Sequence, residues 1–225
     1  MLFDPILLKF NFEATITQLS GGFLNTLKIF FLTIIFSMPL GLIVVFFRTS
    51  KFKPLQILTK LYISIMRGTP LMLQLLVVFF APSLLFGIQN SSSYRFWAVI
   101  IGFTVNYAAY FAEIYRGGID AIPKGQYEAA EVLGFSKLQT FFKIVLPQVI
   151  KIILPSVTNE IITLVKDTSL AFSIAYTEMF VVAKQLVASQ STILPLFVAG
   201  IFYYIMNLIV AFVMERIEKK MNYYK

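Results

Sequence analysis

The side chains with the clearest chemical potential interrupt an apolar stretch that is long enough to cross a membrane. Residues 152–176 are mainly apolar, yet they include Glu160, Lys166 and Asp167. Ionisable residues inside a membrane span are rare, and they usually face a cavity or a partner. Glu160 and Asp167 are seven residues apart with Thr163 between them at helical spacing, so all three share one helical face. Such a polar stripe can line a path for a zwitterion that carries ammonium and carboxylate groups.

Further polar side chains extend this candidate pathway. Asn159 and Lys166 share the neighbouring face of the same helix, and Arg67 stands just before another apolar stretch. The candidate substrate pathway comprises Arg67, Asn159, Glu160, Lys166 and Asp167. Two interpretations stay open, because buried charges either contact substrate or pair with one another. Arg67 has the further alternative of anchoring its helix near the inner interface. Glu113 and Arg116 are three residues apart and are expected to form an ion pair.

Composition places the chain in a membrane. Of its 225 residues, 58% are hydrophobic and 13% are charged, whereas soluble domains carry about a quarter charged residues. Cys and His do not occur, which removes thiolate metal sites, disulfides and the commonest general base. The sequence also contains no phosphate loop of the GxxxxGK(S/T) type. We therefore expect no enzymatic activity, cofactor or metal site on this chain, and we assign its Phe, Tyr and Met stripes to packing or lipid contact.

Five apolar stretches predict an all-α polytopic membrane protein with five transmembrane helices. A crossing helix needs about 20 mainly apolar residues. The predicted spans cover about residues 21–47, 68–88, 96–114, 152–176 and 191–214. The start of the chain lacks the pattern of a cleavable signal peptide. We expect an extracytoplasmic segment at 1–20, a membrane domain at 21–214 with a long loop at 117–147, and a tail at 215–225.

The distribution of Lys and Arg predicts the orientation of the chain. If the N-terminus is outside, the basic residues after the first and fifth spans and those of the long loop all face the cytoplasm, as the positive-inside rule requires. The outer side then keeps only Lys9, Arg95 and Lys184, with Lys28 near the edge. We therefore expect the N-terminus outside and the C-terminus in the cytoplasm.

Residues 51–67 repeat apolar side chains at helical spacing. These side chains are Leu55, Leu58, Tyr62 and Ile65. The pattern is typical of an amphipathic helix at the cytoplasmic interface, and a simple inward extension of the second span explains it equally well. Gly68 and Pro70 are expected to break or bend the chain between the two parts.

The long loop carries signals for two short helices joined by a turn. Pro123 suits the first turn of a helix, and Gly134 suits its end in a left-handed conformation. Ser136 and Gln139 form a capping-box pattern that starts a second helix, and Pro147 is expected to stop that helix before the fourth span. The small alanines and the glutamates of the first helix suit docking to a partner. A solvated loop with two incidental helices is the alternative.

The motifs of this loop resemble a known family. Glu128-Ala129-Ala130, then Gly134, then Ile144-Val145-Leu146-Pro147 resemble the EAA loop of ABC importer permeases. More blocks, in the order of the family, resemble its polar amino acid subfamily and cover most of the chain from Leu61 onward. They are Arg67-Gly68-Thr69-Pro70-Leu71, the run 112–119, the run 121–126, Asn159-Glu160 and the run 164–170.

This resemblance implies a function and a set of partners. It implies the ABC type I importer fold and a permease subunit that carries an amino acid across a bacterial cell membrane. A second permease copy or a related subunit would pair with it, and an extracytoplasmic binding protein would deliver substrate. Two separate ATP-binding subunits would bind ATP and Mg and would hydrolyse the ATP. In this family Glu128, Ala129, Ala130 and Gly134 would belong to the coupling helix and its turn, so residues 117–147 are named the coupling loop.

Two other classes of membrane protein remain as alternatives. An ion-driven secondary transporter would also carry polar residues in a span, but it would usually show more spans and internal repeats and would need no docking loop. A purely structural membrane protein would explain the hydrophobicity but not the polar stripe between Glu160 and Asp167.

Overall fold

Helices follow one another along the chain in the computed structural model, which describes residues 11–88 and 91–221. The α-helices are α1 (Phe12–Arg48), α2 (Lys53–Gly68), α3 (Leu71–Phe86), α4 (Ser92–Asp120), α5 (Lys124–Val132), α6 (Lys137–Thr140), α7 (Leu146–Asp167), α8 (Met179–Gln190) and α9 (Leu194–Met221). A π-helix at Phe141–Val145 precedes α7, and a 3₁₀ helix at Thr168–Ile174 follows it. Among the described residues, four helical segments are long and apolar enough to cross a membrane, and the bent pair α2–α3 raises the number to five.

The first helix begins earlier than the sequence predicts. The side chain of Asn11 accepts a hydrogen bond from the backbone N–H of Ala14 (2.9 Å) and so caps α1. The helix then runs for 37 residues to Arg48. Residues 12–20 therefore continue the first helix beyond the apolar stretch that starts near residue 21, and their predicted extracytoplasmic position stays a prediction. Residues 1–10 of the predicted extracytoplasmic segment lie outside the described residues.

A sharp bend separates α2 from α3. The two helices meet at 113°, with Thr69 and Pro70 between them, so the predicted break is confirmed and a straight inward extension is excluded. Helix α3 has only 16 residues. Helix α2 lies against α4, where the Tyr62 hydroxyl donates to the carbonyl oxygen of Val105 (2.5 Å).

Helix α4 forms the centre of the bundle. Phe103, Tyr107 and Phe111 are among its largest buried side chains, and they stack along one face of the helix. Gly41 of α1 lies against this face, because a Cβ atom on Gly41 would be 2.9 Å from the Cβ of Phe111. Small residues let membrane helices approach closely, so α1 and α4 form the packed frame of the bundle.

The start of the fourth span differs from the sequence prediction. The coupling loop passes through the π-helix directly into α7, which begins at Leu146 rather than near residue 152. Pro147 lies in the first turn of α7 and does not stop a helix there. A proline is tolerated in a first turn because its missing N–H would have had no helical partner. The helical path from the loop into the membrane is consequently continuous.

The short helix α8, which the sequence analysis does not predict, is anchored by a buried carboxylate. Glu178 accepts hydrogen bonds from the backbone N–H groups of Phe180 (2.7 Å) and Val181 (3.0 Å), and from the hydroxyl of Tyr203 on α9 (2.9 Å). Burial raises the pKa of the Glu178 carboxyl, and these hydrogen bonds oppose the rise. The carboxylate thereby fixes the start of α8 against α9, away from the cavity described next.

Candidate functional site

A cavity of about 290 Å³ lies between α2, α4 and α7. Its polar lining consists mainly of Arg67, Tyr110, Glu113, Ser156 and Glu160. Two residues of the predicted pathway, Arg67 of α2 and Glu160 of α7, thus line the same space although they are far apart in sequence.

Arg67 and Glu160 bring one positive and one negative charge to this cavity. The guanidinium carbon of Arg67 lies 5.4 Å from the centroid of the Tyr110 ring, a distance at which the ring face attracts the cation. The ion pairs found within 11–88 and 91–221 involve neither Arg67 nor Glu160. Within the described residues the cavity thus holds two opposite charges that form no ion pair.

The third ionisable group of the lining is already paired. Arg116 donates from Nε to Glu113 Oε1 (2.6 Å) and from Nη1 to Asp120 Oδ2 (2.5 Å). The predicted pair between Glu113 and Arg116 is thus confirmed, and Asp120 extends it. The charge of Glu113 is compensated inside the protein, so Arg67 and Glu160 are the charged lining residues without an ion pair in the described part of the chain.

The other residues of the predicted pathway lie elsewhere on α7. Asp167, at the end of the helix, accepts a hydrogen bond from the buried hydroxyl of Tyr107 (2.7 Å). Asn159 and Lys166 are exposed on the surface of this single chain. The structure therefore divides the predicted set into two cavity residues, one half-buried hydrogen-bond partner and two surface residues. The predicted mutual pairing of Glu160, Lys166 and Asp167 does not occur among the described ion pairs.

Several polar contacts around the cavity are absent from the sequence predictions. The tyrosines Tyr107 and Tyr110 contact Asp167 and Arg67, so the assignment of the tyrosine stripes to packing or lipid contact is incomplete for these two. Gln74 and Asn106 lie in apolar stretches and bond to each other across α3 and α4 (2.9 Å). The sequence signal that could have identified these two residues is an uncharged amide side chain inside an apolar stretch.

The turn of the coupling loop has the geometry that its sequence predicts. Gly134 adopts φ 76°, its N–H donates to the carbonyl of Glu131 (2.9 Å), and the N–H of Phe135 donates to the carbonyl of Ala130 (3.0 Å). This is the Schellman motif, which ends a helix at a left-handed glycine. Ser136 and Gln139 then form the capping box of α6, with both reciprocal hydrogen bonds present.

The tip of the coupling loop exposes apolar side chains. Val132 is 88% exposed, and Leu133 and Leu138 are each 72% exposed. Glu128 and Ala129 of α5 are also exposed, whereas Ala130 is buried inside the loop. A ridge of this kind is unusual next to water and is typical of a surface that binds a partner.

The base of the coupling loop is joined to the wall of the cavity. Ile122, Val145 and Val149 form a buried cluster, and the Gln148 side chain donates to Gln126 Oε1 (3.3 Å). The π-helix continues into α7, whose next turns carry Ser156 and Glu160. The base of the coupling loop and the cavity lining are therefore connected through one continuous helix.

Comparisons with known proteins place this fold. The family model for the binding-protein-dependent transport system inner membrane component matches residues 37–223. The arginine transport system permease protein ArtQ of Bacillus subtilis (strain 168) is 37% identical over 219 residues, covering 96% of this chain and 99% of that protein. The putative glutamine transport system permease protein GlnP of Rickettsia bellii (strain RML369-C) is also 37% identical, covering 94% of this chain and 96% of that protein.

A solved structure agrees with these relatives. The crystal structure of an amino acid ABC transporter with histidines matches the chain with a TM-score of 0.84 and 28% identity, covering 94% of this chain and 99% of that one. The predicted all-α, polytopic importer fold is confirmed by this match and by the helices described above. The chain belongs to the family of binding-protein-dependent transport system inner membrane components.

Proposed function

We propose that the chain is the permease subunit of an ATP-driven amino acid importer, and that the amino acid passes through the cavity between α2, α4 and α7. The observation that carries this proposal is that Arg67 and Glu160 line one cavity with opposite charges and form no ion pair with any of the described residues. Every free amino acid carries a carboxylate that suits Arg67 and an ammonium group that suits Glu160. The similarity to permeases named for arginine and glutamine supports this substrate class.

The remaining pathway residues suit a second permease subunit. Asn159, Thr163 and Lys166 are exposed on α7, and polar side chains on a spanning helix avoid lipid. We propose that a second copy of this chain, or a related permease subunit, covers this face so that the pathway lies between the two subunits. Asp167 supports the same region through its hydrogen bond with Tyr107.

The coupling loop is proposed as the docking element for the ATP-binding subunits. Glu128, Ala129, Ala130 and Gly134 form or end α5, and the apolar ridge of Val132, Leu133 and Leu138 is available to a groove on the partner. Two ATP-binding subunits, one for each permease, would bind ATP and Mg and hydrolyse the ATP. The permease itself would contribute geometry rather than catalysis.

We propose an orientation that the basic residues at the helix ends support. The basic residues Arg48, Lys219 and Lys220 end α1 and α9, and by the positive-inside rule these ends face the cytoplasm together with the coupling loop. The N-terminus would then lie outside, where a binding protein delivers substrate. In this scheme the membrane-spanning permease domain is assigned to residues 21–214 and the cytoplasmic tail to 215–225.

Transport would follow the general logic of alternating access. Closure of the ATP-binding subunits moves the coupling loops, and the continuous path through the π-helix carries this movement into α7. Because α7 carries Glu160 and Ser156, the cavity would open alternately to the two sides of the membrane.

The proposal is tested by purifying the tagged protein in detergent with its candidate ATP-binding subunit. ATPase activity is then measured with the binding protein and with L-arginine, L-glutamine or L-histidine. Co-purification of an ATPase whose rate rises with one amino acid is the expected result. Uptake of an amino acid into vesicles that lack any ATPase, driven by an ion gradient, would support the secondary transporter instead.

A further inference from the structure

The bend between α2 and α3 exposes carbonyl oxygens that need partners. The last carbonyls of a helix have no partner within the helix, and in a membrane such groups must be satisfied by the protein. At this bend the hydroxyl of Thr69 donates to the carbonyl of Ile65 (2.8 Å). The carbonyl of Met66 accepts from Gln74 Nε2 (3.0 Å) and also from Asn106 Nδ2 (3.1 Å).

The two amides also bond to each other and form a single unit. Asn106 Nδ2 donates to Gln74 Oε1 (2.9 Å), and Gln74 Nε2 donates to the hydroxyl of Thr69 (2.8 Å). Asn106 is only 4% exposed, so its amide is shielded from water and lipid. Gln74 is half-buried and Thr69 is exposed, so the unit reaches from the bundle interior to its surface, where it joins the end of α2, the start of α3 and the middle of α4.

This point is adjacent to the cavity arginine. Arg67 directly follows Met66, the residue whose carbonyl accepts both amide hydrogen bonds. Asn106 and Tyr110 are four residues apart on α4, so they occupy the same helical face. Asn106 therefore fixes the backbone next to Arg67, and Tyr110 supports its guanidinium at 5.4 Å.

We propose that the Asn106–Gln74 amide pair positions Arg67 to receive the carboxylate of the transported amino acid. This inference rests on the proposed function, because it requires that Arg67 binds substrate. A long arginine side chain loses much rotamer freedom when it is ordered. The fixed backbone and the Tyr110 ring order part of the Arg67 side chain before the ligand binds. Such preorganisation lowers the entropy cost of binding and so raises the affinity.

The test measures ligand binding to the purified complex of permease and ATP-binding subunits without the binding protein. Tritiated L-arginine, L-glutamine and L-histidine serve as probes. Arg67→Gln should raise the Kd of the probe that binds by more than tenfold, and Asn106→Leu should raise it by about tenfold, since a hydrogen bond to a charged group is strong. Gln74→Met has a similar shape and removes the other amide's hydrogen bonds to Met66 and Thr69 together with the bond between the two amides, so it should raise the Kd in the same direction.

The decisive variant combines two changes. If Asn106 acts through Arg67, then Asn106→Leu should raise the Kd by less than about twofold when Arg67→Gln is already present. A merely structural amide would weaken binding by the same factor in both backgrounds. Asn207→Leu is the matched control, because it removes a partly buried amide of α9, outside the cavity lining, and it should leave the Kd unchanged.

Each outcome decides between the inference and the proposed function. The inference is overturned if Arg67→Gln raises the Kd while Asn106→Leu and Gln74→Met do not, or if the two changes simply multiply; the proposed role of Arg67 then survives. If Arg67→Gln leaves the Kd unchanged, or if the wild-type complex binds none of the probes, the proposed substrate site fails and the inference fails with it. Size-exclusion profiles of every variant confirm that the complex is intact.

Discussion

The coupling loop and the cavity are built in opposite ways. In the loop, the contacts that set the turn join near neighbours, such as Phe135 with Ala130 and Gln139 with Ser136. In the cavity, Arg67, Tyr110 and Glu160 come from three helices and are more than 40 positions apart. The loop can therefore adopt its shape from local sequence, whereas the cavity exists only when the whole bundle has formed.

The two regions also differ in what they leave unsatisfied. The loop exposes an apolar ridge that suits a protein partner. The cavity leaves two opposite charges that suit a small zwitterion. A change in one region should thus alter one partner only: loop variants should affect docking of the ATP-binding subunit, and cavity variants should affect binding of the amino acid.

The largest effect is expected from Glu160→Gln. The variant removes the negative charge opposite Arg67, and hydrogen bonds to charged groups contribute about 1.5–3 kcal/mol, so the Kd for the bound amino acid should rise by about 10- to 100-fold. Equilibrium binding of the tritiated probes measures this change. Glu218→Gln is a suitable control, because Glu218 accepts a hydrogen bond from Thr158 outside the cavity. An unchanged Kd in Glu160→Gln would remove Glu160 from the site.

The next effect is expected from Gly134→Ala. Gly134 has φ 76° and open space around a built Cβ, so alanine would introduce backbone strain alone, about 1–2 kcal/mol. Docking of the ATP-binding subunit should weaken by about 5- to 30-fold, while amino acid binding stays constant. The amount of ATPase that co-purifies with the permease measures docking.

Gly125→Ala is the matched control for this change. Gly125 also has open space around a built Cβ, but it lies in α5 without a positive φ, and alanine favours a helix. Docking should therefore be kept. Equal losses in both variants would mean that the turn geometry of Gly134 is not what docking requires.

The same contrast explains which parts of the fold were predictable. The turn at Gly134 and the helix cap at Ser136 could be predicted from the sequence, because each depends on a few adjacent residues. The apolar stretches located the spanning helices, but the helices extend beyond these stretches where polar residues or a proline continue them. Residues 12–20 joined α1 despite Glu13, and α7 began at Leu146 because Pro147 is harmless in a first turn.

The candidate site was predictable only as separate residues. Arg67 and Glu160 were identified as ionisable groups beside or within apolar stretches, but spacing along the chain does not show that α2 and α7 share a cavity. Tyr110, Gln74 and Asn106 were missed because their roles come from contacts between helices. Helix α8 was missed because its anchor, Glu178, is bonded to a residue of another helix.

A smaller effect is expected from Ser136→Ala in the loop. Loss of an N-cap costs about 1 kcal/mol, so α6 should fray and docking should weaken by about fivefold. The same co-purification assay measures this change. Ser136→Thr keeps a capping hydroxyl and should retain wild-type docking. If both variants dock normally, the capping box is dispensable, and the exposed ridge alone determines docking.

The smallest effect is expected from Asp120→Asn, at the junction between the two regions. Asp120 is the last residue of α4 and lies near the start of the coupling loop. Its side chain, which pairs with Arg116, is 61% exposed. Exposed pairs contribute about 0.2–1 kcal/mol at most, and Arg116 keeps its bond to Glu113 in the variant. The charge of Glu113 beside the cavity would thus remain compensated. Both docking and amino acid binding should change by less than about twofold. A larger change in both would show that this junction couples the two regions in the resting protein, so that they do not respond separately to substitution.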